Sequence, residues 1–317
     1  GPLILETPPN VLAIIDDHWF RYVGDIGNAG PDKGKGGKYI LLPPGYTGNI
    51  PEGYFVMNSP TYGNWLVVRG FLVDGDPAPA AKNIKENLKI YPLSKKDNPT
   101  ELNFVNVSGV PMNTLHAMDY SYWEEMNELI QEEPNEAQTP EVLGLLQQIG
   151  IEKGKPFNPD ARMKKILTEA AAVGHAYSRT ILYKNRNKYE AYPNSGWEIG
   201  FPGASHEFDR DGIRMIDQRI RFHFFATGIT AAMVNKMVGA GSQYMMGLRD
   251  SEGRGLDGGK TYKLNIPKDV PMLNFLDVTI YDVQTRSLLQ TDQQFPGITS
   301  ADLGTITNPD GSCDIYF

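Results

Sequence analysis

The sequence has 317 residues, 40% of them hydrophobic, and its 30 basic and 38 acidic side chains give a formal net charge of −8. This acidic total argues against a nucleic-acid partner, because binding to a phosphate backbone needs clustered basic residues. The apolar runs cover only a few residues each, which excludes a membrane-spanning helix. At roughly 150 residues per domain, the length predicts about two domains.

The first part of the chain has the pattern of short strands. Runs rich in β-branched and aromatic residues are each closed by Pro or Gly, which is typical of a β-sandwich or barrel. The runs cover residues 3–5, 11–15, 19–23, 39–42, 54–57 and 65–73. Residues 78–88 read as one short helix.

The middle of the chain changes to helical periodicity. A helix is predicted over 120–131, ended by Pro134. Thr139 before Pro140 predicts an N-cap and the start of the next helix. Two more helical stretches are predicted, one from 158–160 to about 183 and one over 214–238.

The β pattern returns after residue 258. Strands are predicted over 262–266 and 278–283, and the turn 308–311 leads into a last strand. This order predicts a mainly β fold with α insertions (α+β). It places one β-sandwich lobe at 1–115, a helical connecting region at 116–257 and a second lobe at 258–317.

One candidate for chemistry is the run Asp16-Asp17-His18-Trp19. Neighbouring residues of a strand point to opposite faces, so at most Asp16 and His18 share a side. Asp16 is therefore a candidate catalytic carboxylate. The alternative is a strand end with solvated acids.

A second candidate is the polar set around Asp282, Arg286, Gln290 and Asp292, with Arg249-Asp250 earlier in the chain. An arginine near two carboxylates fits either a buried ion-pair network or a substrate clamp. Asp282, Arg286 and Asp292 join Asp16 as the predicted catalytic residues.

The remaining polar motifs indicate no cofactor and no metal. The loop 34–38 is rich in Gly and Lys but lacks the spacing of a phosphate-binding loop. The loops 209–212 and 308–314 resemble calcium loops but are explained by Asx turns. The five histidines lie far apart, and His206, beside Glu207, lies in the most reactive-looking segment of the helical region, for which a structural role is the favoured interpretation. The single Cys313 excludes an intrachain disulfide.

Several phrases resemble a bacterial family built from two adjacent domains of unknown function, the type numbered 1254 followed by the type numbered 1214. The phrases lie at 30–39, 42–46, 69–75, 131–134, 159–163, 256–262 and 281–286. The resemblance implies paired jelly-roll-like β-sandwich lobes with helical insertions and export, hence a periplasmic or secreted location. The family pattern matches the acids 16 and 17 and Trp19 but does not fix a His at position 18. It implies no established reaction.

Members of that family usually begin earlier, with a secretion signal, and continue past residue 317. We therefore expect an unfinished sheet edge beside Ile315 and Phe317. Either a bound C-terminal segment or a neighbouring subunit of a homo-oligomer would cover it.

Two functions remain open. The first is an exported hydrolase that cleaves a glycan or an ester with carboxylates in a cleft. The second is a non-catalytic protein, either a binding module or a self-assembling surface or shell subunit. A carbohydrate or another small molecule is the expected ligand, with candidate aromatic platforms at Trp65, Trp123, Trp197, Tyr244 and Tyr281.

Overall fold

The computed structural model describes residues 1–113, 115–184, 190–193, 195–234, 243–272, 275–293, 295–300 and 307–317. The chain forms two compact units. The first joins Gly1–Leu182 to Phe201–Gln243, and the second joins Tyr183–Gly200 to Tyr244–Phe317. Strands and helices are both present, and the fold class is α+β, as predicted. The boundaries predicted at 115 and 258 stay a prediction.

The first seven strands of unit one form two sheets. They are β1 (Leu3–Thr7), β2 (Val11–Asp17), β3 (Tyr22–Gly27), β4 (Gly37–Leu42), β5 (Phe55–Asn58), β6 (Asn64–Gly70) and β7 (Lys89–Pro92). One sheet has the order β5-β4-β1-β7 and the other the order β3-β2-β6. The β4–β5 pair is parallel and the other pairs are antiparallel.

Both sheets contribute to one hydrophobic core. On β2, the side chains of Val11, Ala13 and Ile15 are buried, whereas Leu12 and Ile14 between them are half-buried, as a period of two requires. The core contains Leu5, Ala13, Ile15, Ile26, Tyr39, Leu41 and Met57. A second cluster, around Ile4, Ile40, Leu42 and Tyr91, uses alternate residues of the four-stranded sheet. Odd- and even-numbered residues of these strands therefore face opposite sides of the sheet.

The helices follow the local sequence signals. They are α1 (Ala78–Asn87), α2 (Ser121–Glu132), α3 (Pro140–Gln148), α4 (Ala161–Lys184), α5 (Ile216–Phe225) and α6 (Ala231–Val234). The predicted start of α3 is confirmed, because the Thr139 hydroxyl accepts the N–H of Val142 at 3.4 Å. The carboxylate of Asp160 likewise accepts the N–H of Met163 at 2.7 Å, at the start of α4.

The single helix predicted over 214–238 is wrong. The chain instead forms a hairpin of β9 (Asp209–Arg210) and β10 (Ile213–Arg214), then α5, a non-helical segment and α6. The break contains Gly228, whose φ of 81° is left-handed. Beside it, the N–H of Ile229 bonds to the carboxylate of Asp16 instead of a helical carbonyl. Residues 235–238 of the predicted helix lie outside the described residues.

Unit two is built from short strand pairs. Its strands are β8 (Trp197–Ile199), β11 (Met245–Gly247), β12 (Lys263–Ile266), β13 (Asp277–Thr279), β14 (Gly297–Thr299) and β15 (Cys313–Tyr316). They pair antiparallel as β8–β11, β12–β15 and β13–β14. The strand predicted over 278–283 is shorter than expected. Asp282 turns the chain there, and Tyr281 is left in an isolated bridge to Leu288.

The last strand is partly buried. Ile315 is 4% exposed and lies opposite Leu264 of β12, whereas Tyr316 is 67% exposed. A cover for the outer edge of β15 stays a prediction. No helix within the described ranges is long and apolar enough to cross a membrane.

Candidate functional site

Asp16 lies near the end of β2, in the first unit, where the strand pairing becomes irregular. Ile15 pairs with Gly24, but Asp16 pairs with Tyr22, so the register shifts between the two positions. The Asp16 side chain is fully buried. Its Oδ2 accepts the N–H of Ile229 at 2.8 Å, and its Oδ1 has no hydrogen-bond partner among the described residues. A carboxyl group is thus held in the interior with half of its hydrogen-bonding capacity unused.

Asp25, on the neighbouring strand β3, is another buried carboxyl group. Its Oδ1 accepts the hydroxyl of Thr230 at 2.7 Å, and its Oδ2 accepts the hydroxyl of Tyr22 at 2.9 Å. Ile229 and Thr230 are adjacent, so one short segment between α5 and α6 donates to both Asp16 and Asp25. The two acids therefore form one cluster.

Burial controls the ionisation of this cluster. Loss of water raises the pKa of Asp16 to about 7, against the opposing effect of the Ile229 N–H, and the charges of Asp17 and Asp25 raise it further. Burial also raises the pKa of Asp25, while hydrogen bonds from Thr230 and Tyr22 and the charge of His206 act in the other direction. Near neutral pH, Asp16 is therefore about half protonated.

His206 extends the cluster toward the surface. Its ring centroid lies 4.8 Å from that of Tyr22, at an angle of 68° between the planes, and the histidine is half-buried. Burial, followed by the charge of Asp25, raises the pKa of the Tyr22 hydroxyl. Tyr22 therefore stays protonated at neutral pH and acts as a hydrogen-bond donor to Asp25.

The acids and the histidine of the predicted run 16–19 have separate roles. Asp17 accepts the N–H groups of Trp19 and Arg21 at 2.8 and 2.9 Å, and Nε of Arg21 at 2.6 Å, so it fixes the turn after β2. The Nδ1 of His18 bonds to Oε1 of Glu133 at 2.6 Å. Both interactions are structural, and Asp16 alone of this run enters the carboxyl cluster.

A surface groove runs beside Asp25. It has a volume of about 410 Å³. Its lining consists of Tyr22, Val23, Gly24 and Asp25, with Ala29–Pro31 and Val56–Asn58. The groove follows β3 and β5, which are edge strands of the two sheets. Tyr22 and Asp25 thus belong both to the buried cluster and to the wall of the groove.

The other three predicted residues lie in the second unit. Oδ1 of Asp282 accepts the N–H groups of Gln284 and Thr285 at 2.8 and 2.7 Å, and its backbone oxygen accepts the N–H of Arg286 at 2.8 Å. Arg286, with φ of 59°, ends this turn. Asp292 is exposed. The structure brings Asp282 and Arg286 together as parts of one turn, and a catalytic role for the three residues stays a prediction.

The polar loops are held by their own acids. Asp32 accepts the N–H groups of Gly27 and Gly36 at 2.8 and 3.0 Å and the Tyr39 hydroxyl at 2.6 Å, which shapes the Gly-rich loop. The Asx turn predicted near residue 310 is confirmed, because Asp310 accepts the N–H of Ser312 at 2.9 Å. Within the described residues, no group of three or more His, Cys, Asp or Glu could hold a metal ion.

Sequence reasoning missed Asp25, Tyr22 and Thr230. Asp25 is an acid inside an otherwise uncharged strand, Tyr-Val-Gly-Asp-Ile-Gly, and that is a usable signal of a buried charge. Its pairing with Asp16 depends on the β2–β3 register and on a segment more than 200 positions away. Neither is visible in a local pattern.

Two family models match the chain. The model described as Protein of unknown function (DUF1254) matches residues 1–92, and the one described as Protein of unknown function (DUF1214) matches residues 241–317. The chain thus carries a DUF1254 match followed by a DUF1214 match, which is the domain pair that the resemblance predicts. The DUF1254 segment contains β1–β7 with Asp16 and Asp25, and the DUF1214 segment contains Asp282, Arg286 and Asp292. Ile229 and Thr230, which bind the two buried acids, lie between the matched segments.

One solved structure shows that this fold occurs elsewhere. The VPA0106 protein from Vibrio parahaemolyticus is similar over 100% of this chain and 74% of its own, with a TM-score of 0.55 and 17% identity. At this identity, the similarity of the DUF1254–DUF1214 chain to that protein concerns the fold alone. No curated protein matches the sequence.

Proposed function

We propose that the first unit is a hydrolase that cleaves a glycosidic or ester bond, with Asp16 and Asp25 as its acid–base pair. The observation that carries the proposal is the buried pair itself, bound by the adjacent residues Ile229 and Thr230, with a pKa of about 7 at Asp16. Strongly shifted carboxyl groups beside a groove are typical of catalytic sites.

The two acids have complementary tasks in this mechanism. Protonated Asp16 gives its proton to the leaving oxygen as the bond from carbon to that oxygen breaks. Ionised Asp25 takes a proton from the water whose oxygen forms the new bond to the same carbon. Tyr22 and Thr230 hold the Asp25 carboxylate by their hydroxyl groups.

Asp16 has no exposed surface, so access requires a movement of the segment over it. That segment contains Gly228, which lies against Oδ2 of Asp16 and the end of Ile14. Among the residues that the structure describes, the N–H of Ile229 and the hydroxyl of Thr230 bond this segment to the two acids. Opening breaks these hydrogen bonds, each worth about 1 kcal/mol net, and also exposes Ile229, which packs in a buried cluster with Phe208, Phe222 and Val234.

The test compares single-atom substitutions in the acids with an exposed control. Asp16→Asn, Asp25→Asn and the exposed Asp269→Asn are assayed on nitrophenyl esters, nitrophenyl glycosides and polysaccharides. We expect at least a ~100-fold loss of rate in the first two variants and none in the third. Circular dichroism checks that each variant is folded. A wild-type rate in both buried-acid variants, or no hydrolysis by the wild type on any substrate, contradicts the proposal.

A second candidate function is a non-catalytic, self-assembling surface protein. A specific observation favours it. The segment 103–112 is entirely exposed and carries five large apolar side chains. Such surface is unusual on a monomer and typical of contacts between subunits.

The finer parts of the prediction stay proposals. The shared core of the two sheets in unit one supports a jelly-roll-like sandwich there. The two family matches support the expected pair of lobes. They say nothing about location, so we propose export to the periplasm or the medium, and cell fractionation tests it. A carbohydrate or other small ligand is proposed for the groove beside Asp25.

A further inference from the structure

Trp65 lies directly beside Asp16 in the three-stranded sheet of unit one. The two residues are partners in the antiparallel β2–β6 pair, which runs without a register shift. Leu66 and Val68 pack against the core, so Trp65 faces the opposite side of the sheet, as Asp16 does. Residues that are directly opposite in such a pair have Cβ atoms about 4.5–5.5 Å apart. The indole ring is therefore a neighbour of the buried carboxyl group.

The side chain of Trp65 is accessible from solvent, although Asp16 is covered. Gly228 lies against Oδ2 of Asp16, whereas Trp65 is 47% exposed. Within the described residues, no hydrogen bond reaches the indole Nε1 of Trp65. The ring thus offers solvent an apolar face and a free N–H donor. A ligand can reach it before the segment over the acids opens.

Phe20 holds the indole ring in place. The centroids of the two rings lie 5.8 Å apart, at an angle of 59° between their planes. Phe20 has a left-handed φ of 54°, which is rare for a bulky residue. The backbone oxygen of Asp17 accepts its N–H at 2.9 Å and maintains this turn. Strained backbone of this kind clusters at ligand-binding sites, so the turn is a second observation that points to a ligand.

A sugar ring suits this position better than a protein partner does. The C–H face of a sugar packs on an aromatic ring while its hydroxyl groups stay in water or accept an N–H. One half-exposed indole ring with a half-buried neighbour provides this kind of surface. A stable protein interface needs roughly 800 Å² from each partner, which is far more than two rings supply.

We propose that the substrate of the acid pair is a glycan, and that the sugar ring on the leaving side of the cleaved bond stacks on Trp65. This inference rests on the proposed hydrolase function. Tyr22 and Trp65 both pair with Asp16, so the three residues form one row across the sheet. A ring on Trp65 places its glycosidic oxygen beside the carboxyl group that protonates it. The rest of the glycan extends over β3, toward the groove beside Asp25.

The first test measures binding without hydrolysis. Isothermal titration calorimetry of Asp16→Asn protein uses neutral hexasaccharides of glucose, N-acetylglucosamine, xylose and mannose, and we expect at least one to bind. Adding Trp65→Ala weakens that binding at least ~10-fold, whereas Trp65→Phe, which keeps a ring, stays within ~3-fold. Tyr177→Ala removes a 56% exposed ring on α4 and leaves the affinity unchanged. Circular dichroism checks the fold of each variant.

Binding of none of the four hexasaccharides overturns the proposal. So does equal binding by the variants with and without Trp65→Ala.

The second test separates the role of Trp65 from that of the acids. With Asp16 intact, Trp65→Ala should raise KM for the bound hexasaccharide at least ~10-fold and change kcat less than ~3-fold, because it removes binding that is equal in the ground and transition states. Asp16→Asn should instead lower kcat. Trp65-dependent binding without hydrolysis by the wild type overturns the acid pair and, with it, the leaving-side position. Hydrolysis with an unchanged KM in Trp65→Ala overturns the role of Trp65 and leaves the acid pair in place.

Discussion

The N–H of Ile229 donates to Oδ2 of Asp16 at 2.8 Å, although 213 positions separate the two residues in the chain. The next residue, Thr230, donates in the same way to Asp25. A five-residue break between two helices thus binds a pair of acids on adjacent strands, and the stability of this contact depends on the ionisation of the pair.

The stability of the first unit should fall as pH rises from about 4 toward 7. The pKa of Asp16 rises from its ordinary 3.8 to about 7 on folding, so the folded chain holds a proton that the unfolded chain has released in this window. One proton gives a slope of at most about 1.4 kcal/mol per pH unit. Above pH 7, the contribution of Asp16 protonation to the free energy of unfolding is lost completely.

Urea denaturation of the wild type and Asp16→Asn between pH 4.5 and 8 measures this effect. The variant lacks the titrating group, so the difference in unfolding free energy should change with pH across that window. The exposed Asp269→Asn should run parallel to the wild type. Parallel curves for wild type and Asp16→Asn would show that Asp16 does not hold the proton.

Tyr22→Phe should raise the pKa of Asp25 further. The Tyr22 hydroxyl donates to Oδ2 of Asp25 at 2.9 Å and so stabilises the ionised carboxylate. Without this hydrogen bond, less opposes the effect of burial, which raises the pKa of Asp25. Carboxyl ¹³C titration by NMR measures the shift. Tyr46→Phe, which loses only a bond to the Asn49 backbone at the surface, is the control and should leave the Asp25 titration unchanged.

Glu133→Ala should destabilise the first unit by about 3 kcal/mol. The Glu133 side chain is buried and binds three groups: Nδ1 of His18 and the N–H groups of Tyr62 and Gly63, at 2.6, 2.6 and 2.8 Å. Truncation leaves all three without this acceptor. The neighbouring Glu132 is exposed, and Glu132→Ala should cost less than about 0.5 kcal/mol. Equal unfolding free energies for the two variants in urea would contradict this assignment.

Gly27→Ala should cost about 2–4 kcal/mol. Gly27 has φ of 76°, and a Cβ there would collide with the backbone oxygen of Val11, which accepts the N–H of Asn28. Gly53 has a similar φ of 88° but open space around it, so Gly53→Ala isolates the conformational cost, about 1 kcal/mol. Thermal unfolding measures the stability of both variants, and the additional loss in Gly27→Ala is the cost of the collision with Val11.

The elements that sequence predicts well are those with local signals. Thr139 with Pro140 defines the start of α3, and Pro or Gly closes most strands of the first unit. The helix predicted over 214–238 failed because its apolar spacing continues through 226–230, whereas the chain there is bound by Asp16 and Asp25. A long-range contact overrode a local propensity.

The candidate site was predictable only in part. Asp16 was chosen because the run 16–19 places two acids beside a histidine, and its catalytic role stays a prediction. Its proximity to Asp25 depends on the β2–β3 pairing, which is irregular because Val23 of β3 has no partner on β2, whereas β2 pairs with β6 without a shift. His18 lies just beyond the end of β2, bonds Glu133 and does not join the acids. No spacing rule within one strand encodes such an irregularity.

The contact between Asp16 and Ile229 also has a consequence for the order of events during synthesis. Asp16 leaves the ribosome long before the segment that buries it, and an aspartate in water is ionised at neutral pH. The segment at 226–230 must then pack over a charge. Because the folded carboxyl has a pKa of about 7, the final closure of this unit draws a proton from the surrounding solution for part of the molecules. Acidic surroundings would therefore favour maturation of the newly made chain.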